Sequence, residues 1–127
     1  MRQIEQTYTI KAPIEKVWSA LTDADMAEKW GASPAKVDAR EGGTFSYWEG
    51  DIHGSFTKLI PNKLIEQDWY GHDNPERKYN AVFHFKANNN DETTVELVFS
   101  GEIEDEQKDI NDWQDYYFTP IKELLEK

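Results

Sequence analysis

The chain has 127 residues, a net charge of −11 from 14 Lys+Arg and 25 Asp+Glu, and no cysteine. That length predicts a single domain over 1–127, able to fold without a metal or a disulfide, and the missing cysteine excludes disulfide scaffolds, thiolate metal sites and thiol nucleophiles. The acidic balance disfavours nucleic acid and anionic membranes as partners, because both repel a negative surface.

Ile4, Gln6, Tyr8 and Ile10 alternate with polar residues, the period of a strand with one wet face. Pro13 stops it and suits the first turn of a helix, and Ile14, Val17, Trp18 and Leu21 follow at helical spacing. Thr22 to Asp25 has the shape of a weak capping box, which predicts a second short helix carrying Met26 and Trp30 and ending at Gly31. Strands are then expected at Val37 to Ala39, Thr44 to Trp48, Ile52 to Ile60, Leu64 to Tyr70, Tyr79 to Lys86 and Thr93 to Gly101. Glu49-Gly50-Asp51, Pro61-Asn62, the stretch Gly71 to Lys78 with Asn74-Pro75, and Asn88 to Asp91 supply the turns and loops. After an acidic stretch from Glu102 to Asp112, Trp113, Tyr116, Tyr117, Pro120, Ile121, Leu124 and Leu125 recur at steps of three and four. They predict a long amphipathic helix, kinked where Pro120 leaves the Tyr116 carbonyl without its N–H partner.

A meander with one apolar face must cover that face, and the last helix is the long apolar element available. The predicted architecture is therefore α+β: a curved antiparallel sheet of six or seven strands around a long C-terminal helix, with two short helices after the first strand. No run reaches the roughly 20 apolar residues of a membrane span. The start, Met1-Arg2-Gln3-Ile4-Glu5, has no apolar core of a signal peptide, so the expectation is a cytoplasmic protein.

Chemical motifs are scarce. There is no dinucleotide fingerprint, P-loop or zincin helix, and Gly42-Gly43 lacks the following helix that a phosphate cradle needs. His53, His72 and His84 share no ligand spacing; the loose pairs Asp51-x-His53 and His72-Asp73 are ordinary chance neighbours. His84 alternates with Phe83 and Phe85 and is expected to face solvent. No serine sits in a nucleophile elbow. No catalytic residue, metal or cofactor is predicted.

The interior faces say more. Alternation puts Gln6, Tyr8, Tyr47, Gln67, Trp69, Phe83, Phe85 and Phe99 on the inner face of the sheet, and the helix adds Trp113 and Tyr117. Aromatic walls with a few polar groups are the usual make-up of a ligand pocket. A buried glutamine also needs a partner, since an unsatisfied amide costs about 1–3 kcal/mol; tyrosine hydroxyls, water or a ligand would serve. Trp18, Trp30 and Trp48 are expected near the surface or the rim, where an indole can anchor an interface; the commoner role for such rings is aromatic core filling for the short helices.

The order of elements resembles the helix-grip, START-like superfamily, which includes the birch pollen allergen and polyketide cyclases. A closer resemblance is to the C-terminal domain of activators of the heat-shock-protein-90 ATPase. It is carried by Ile10-Lys11-Ala12-Pro13-x-x-x-Val17-Trp18-x-Ala20-Leu21-Thr22, Met26-x-x-x-Trp30, Gly42-Gly43-x-Phe45 and Gly54-x-Phe56-x-x-Leu59-x-Pro61. Lys63-x-Ile65 with Trp69, Thr94-x-Glu96-Leu97 and Trp113-x-x-Tyr116-Tyr117-Phe118-x-x-Ile121-Lys122 complete it. Most of these are packing or turn residues, so they speak to fold before function.

In the superfamily the space between sheet and helix holds lipids, hormones or polyketides, and in cyclases it does catalysis. The resemblance thus implies three readings. One is a non-enzymatic domain binding a small hydrophobic or aromatic ligand, with Gln6 and Gln67 orienting a polar group. Another is a co-chaperone-like domain with a chaperone as partner. The third is a cyclase or aromatase, for which no catalytic motif is matched.

Overall fold

The structure, a computed structural model, describes residues 2–71 and 76–126. Among them the order is β1 (Arg2–Ile10), α1 (Ile14–Thr22), α2 (Ala24–Trp30), β2 (Lys36–Val37), β3 (Thr44–Tyr47), β4 (Ile52–Ile60), β5 (Leu64–Tyr70), β6 (Tyr79–Asn89) and β7 (Glu92–Gly101). A C-terminal helix follows, made of α3 (Glu106–Asp112), a π-helical stretch (Trp113–Phe118) and α4 (Thr119–Leu125). The expected residues His72-Asp73 and Asn74-Pro75 lie outside the described residues.

The strands form one seven-stranded antiparallel sheet in the order β1-β7-β6-β5-β4-β3-β2. β3 to β7 are consecutive neighbours, as in a meander, and β1 closes onto β7 with Ile4 opposite Phe99 and Tyr8 opposite Val95. The curved sheet grips the C-terminal helix, the predicted helix-grip architecture. Its core is continuous: Ile10, Phe45, Phe56, Ile65, Phe83, Leu97, Phe118 and Ile121 are all within 2% of complete burial. His84 is exposed between buried Phe83 and Phe85, as alternation requires.

Several boundaries differ from expectation for local reasons. Pro13 is the residue before α1 rather than its first helical one. The second short helix is capped by Asp23, whose carboxylate accepts from the Asp25 N–H at 2.9 Å; Thr22 ends α1, its hydroxyl donating to the Trp18 carbonyl at 2.9 Å. Gly31 closes α2 in the left-handed region at φ 116°, where glycine carries no Cβ penalty. The short strand expected at Val37 to Ala39 is Lys36–Val37. The β6–β7 hairpin is longer and tighter: Asn88 Nδ2 donates to Thr94 Oγ1 at 2.8 Å, and Asn89 Oδ1 accepts from the Asp91 N–H at 2.8 Å.

The C-terminal helix begins inside the acidic stretch, not after it. Asp105 caps it by accepting from the Lys108 N–H at 3.1 Å, which satisfies one of the unpaired donors of a helix start. The disturbance expected at Pro120 takes the form of π-helical winding just ahead of it. The Thr119 N–H reaches back five residues to the Gln114 carbonyl, so the wider turn accommodates the missing Pro120 N–H. This winding brings Tyr117 and Phe118 inward together at 3% and 0% exposure, while Tyr116, expected on the apolar face, is 59% exposed.

Candidate functional site

A cavity of about 500 Å³ opens between the sheet and the first half of the C-terminal helix. The sheet supplies its floor. Trp69 at the end of β5 pairs across to Tyr79 at the start of β6, and Phe99 of β7 lies beside both, 5.0 Å from each ring centroid. Glycines make room for these rings. A Cβ on Gly101, at φ 147°, would meet the Tyr79 ring at 2.6 Å, and one on Gly71 would meet Trp69 at 2.9 Å.

The helix supplies the facing wall. Trp113 leans over Trp69 and Phe99 with centroids 5.4 and 5.3 Å away, and Tyr117 packs 4.5 Å from Trp113. The Trp69 indole N–H donates to the Tyr117 hydroxyl oxygen at 3.4 Å. That bond leaves Tyr117 its own proton to donate. Burial, and next the nearby Tyr47, push the Tyr117 phenol well above its ordinary pKa, so it stays protonated.

The mouth is built by the turn after β3 and by α3. Trp48 and Glu49 both take left-handed backbone, at φ 52° and 58°, which costs non-glycine residues of order 1–3 kcal/mol each. The surroundings hold them there: the Trp48 N–H donates to the Ala32 carbonyl at 3.2 Å and the Glu49 N–H to Pro34 at 3.3 Å. The Trp48 indole N–H donates to the Gly31 carbonyl at 2.7 Å. Trp48 is thereby set edge-on to Tyr116, 6.5 Å away, and to Tyr117, 6.1 Å away. Charge gathers at the same place: Asp51, Asp109 and Asp112 line the cavity with Lys108, whose ammonium lies 2.9 Å from Asp112 Oδ2.

Of the ten residues proposed from the sequence, Trp69, Phe99, Trp113 and Tyr117 line this cavity. The others sit elsewhere on the inner face. Gln6 is satisfied internally, accepting from the Tyr8 hydroxyl at 2.8 Å and donating to the Ile110 carbonyl at 3.4 Å. Tyr8 lies flat on Phe118, and burial, with a smaller contribution from the charge of Asp115, pushes its pKa up to about 12. Phe83 packs on Trp113 and Phe118, and Phe85 on Trp18. Gln67 is 2% exposed, between Phe56 and Ala81 in the register.

Tyr47 is 1% exposed, and its hydroxyl has no hydrogen-bond partner among the described residues; burial raises its pKa. Trp30 takes the core-filling role rather than a rim position: it is buried among Tyr47, Trp48 and Tyr117, its indole N–H donating to the Ala20 carbonyl at 2.8 Å. The inner face of α2 must cover those rings, and an indole with one internal acceptor does so. Among the described residues no group of His, Asp or Glu is arranged to hold a metal ion, and no helix is long and apolar enough to cross a membrane.

Several cavity residues were missed. Tyr79 shares the parity of Ala81, Phe83 and Phe85, so its signal was present. Asp109 and Asp112 precede Trp113 and Tyr116 at steps of four, a helical signal hidden by reading the acidic stretch as separate. Asp51 comes from a turn whose shape no periodicity encodes, whereas Trp48 stands half-buried at the mouth, in keeping with the rim position expected for it.

A family model described as "Activator of Hsp90 ATPase homolog 1-like protein" matches residues 11–126. The human Activator of 90 kDa heat shock protein ATPase homolog 1 is 30% identical over 114 residues, 87% of this chain and 33% of that protein. The chain spans about a third of the length of the curated relatives it matches, with 33–37% covered. Among solved structures, an HSP90 activator from Plasmodium falciparum superimposes with a TM-score of 0.84 at 24% identity, covering 98% and 96% of the two chains. The Aha1 dimer from Colwellia psychrerythraea does so at 0.79 and 27% identity, covering 98% and 96%.

Proposed function

The chain belongs to the Activator of Hsp90 ATPase homolog 1-like family, and from that premise we propose that it is a non-enzymatic, cytoplasmic domain binding a small apolar or aromatic molecule between its sheet and its C-terminal helix. The observation that carries this reading is the cavity of about 500 Å³ walled by Trp69, Phe99, Trp113 and Tyr117. Its size falls within the range of small-molecule sites, roughly 300–1,000 Å³, and so does its balance of rings with a few polar groups. Tyr117 would supply the directed hydrogen bond. Burial, the largest cause of the upward displacement of the Tyr117 phenol, keeps its proton in place for that bond.

Native mass spectrometry of detergent-free protein, set beside its denatured mass, tests the proposal. The expected result is an excess mass lost on denaturation, or uptake of an added neutral indole such as 3-ethylindole. A clean apo mass, with the Trp69 and Trp113 indole NMR signals unmoved by 3-ethylindole, counts against it.

A second reading is favoured by the relatives themselves. The human and mouse proteins it resembles are named as activators of the 90 kDa heat shock protein ATPase. In that reading the domain docks on a chaperone of this type through its acidic surface, with net charge −11. Binding to the host's chaperone would then weaken as salt rises, and no complex at low salt would remove this reading.

A further inference from the structure

We propose that the guest of this cavity is a neutral aromatic molecule bearing a carbonyl, whose oxygen takes the proton of the Tyr117 hydroxyl. The inference rests on the cavity reading above and names its ligand class.

Three observations converge. First, the bond that ties the helix to the sheet decides what this phenol can do. An indole N–H donates and cannot accept, and that of Trp69 lies 3.4 Å from the Tyr117 oxygen. Tyr117 is therefore the acceptor there, and its own proton is directed elsewhere. Both rings line the cavity, so the junction is part of its wall. A hydroxyl that already accepts one bond is polarised and donates a stronger one.

Second, the fold brings no acceptor to that proton. Tyr117 is 3% exposed, and among the described residues its hydroxyl makes one hydrogen bond, the one it accepts from Trp69. The neighbouring phenol does not take the proton. Tyr47 packs against Tyr117 with ring centroids 5.9 Å apart, yet its hydroxyl has no hydrogen-bond partner among the described residues. Buried donors are normally paired, and an oxygen acceptor carried in by a guest pairs this one.

Third, the walls set the body of the guest and its charge. Trp69, Phe99 and Trp113 stand 5.0–5.4 Å from one another and offer a continuous aromatic surface to a flat ring. The donor is a neutral phenol, and burial keeps it neutral. Lys108, the cation of the lining, lies 2.9 Å from Asp112 Oδ2 and is already paired. A guest carboxylate would give up its hydration for one neutral hydrogen bond. A ketone or amide carbonyl has far less hydration to lose.

Three probes of nearly one shape separate the possibilities: 3-acetylindole, 3-isopropylindole and indole-3-carboxylate. Their branched tails offer a neutral acceptor, no acceptor and an anionic one. Titration calorimetry on the full chain is expected to rank 3-acetylindole tightest, about fivefold to tenfold over 3-isopropylindole, with indole-3-carboxylate weakest. Tyr117→Phe keeps the ring and removes the proton, so it should bring the affinities of 3-acetylindole and 3-isopropylindole level. The ranking on the unaltered chain carries the test even if that variant folds poorly.

Equal or tighter binding of 3-isopropylindole overturns the carbonyl inference and leaves the cavity reading standing. Tightest binding of indole-3-carboxylate also overturns it. So does a preference for 3-acetylindole that survives in folded Tyr117→Phe, because the donor then lies elsewhere. No binding of any probe, with the indole signals of Trp69 and Trp113 unmoved, overturns both.

Discussion

At one end of the groove between sheet and helix, Tyr8 lies flat on Phe118 with centroids 3.9 Å apart, and Phe83, Phe85 and Trp18 close around them. At the other end Trp69, Tyr79, Phe99 and Trp113 also pack together, yet they line a cavity of about 500 Å³. Both ends lie on the same inner face and have similar composition. What separates them is the helix above. Tyr117 and Phe118 are adjacent in sequence, yet the π-helical turn ahead of Pro120 sends both inward. Phe118 fills the first end, and Tyr117 walls the second. Aromatic content sets which surface is apolar; the register of the covering helix sets whether it is filled or hollow.

The comparison breaks most sharply under truncation. Phe118→Ala removes a side chain that is completely buried, and should cost about 4 kcal/mol in urea unfolding, the usual range for a core phenylalanine. Trp69→Ala, at the half-buried edge of the cavity, should cost about 2 kcal/mol but abolish uptake of 3-ethylindole. Equal losses of stability would mean that the two ends are packed alike and the cavity is not a distinct feature.

That contrast also marks how far the sequence could be read. Strand alternation located Trp69, Phe99 and the inner rings, because the period of two is enforced by the pleat. Helical spacing located Trp113 and Tyr117. Neither could say which rings touch one another, since that depends on where the helix lies across the sheet. The mouth was less legible still. Trp48 is aimed by two left-handed residues held by backbone bonds to Ala32 and Pro34, long-range partners that leave no local pattern. Gln6 and Gln67 were singled out for being polar on an apolar face; Gln6 proved to be bound within the fold by Tyr8.

The phenols sharpen the comparison by pH. An exposed tyrosine ionises near pH 10, whereas Tyr8 is pushed up to about 12 and Tyr47 and Tyr117 are also raised, burial being the largest cause in each. Above about pH 10 the unfolded chain releases these protons before the folded one does. The folded state then binds more protons, so stability falls as pH rises. Stability from these groups should be complete below about pH 10 and drain away as pH climbs through the folded values. Urea midpoints measured from neutral to alkaline pH should stay level and then drop. A profile flat beyond pH 11 would mean that the phenols are solvated at both ends.

The smallest effect is also the most discriminating, because one substitution should act with opposite signs at the two ends. The Tyr8 hydroxyl donates to Gln6 Oε1 at 2.8 Å, so Tyr8→Phe strands a half-buried acceptor and should lower stability by about 1 kcal/mol. The Tyr47 hydroxyl is buried with no partner among the described residues, and its dehydration is uncompensated. Tyr47→Phe keeps the ring against Trp30, Phe45 and Tyr117 and removes that cost, so it should raise stability by about 1 kcal/mol. It should also ease the ionisation of Tyr117, whose pKa Tyr47 helps to raise. Paired urea titrations of the two variants read both signs at once. If Tyr47→Phe destabilises instead, its hydroxyl has an acceptor in solution that the described residues do not supply.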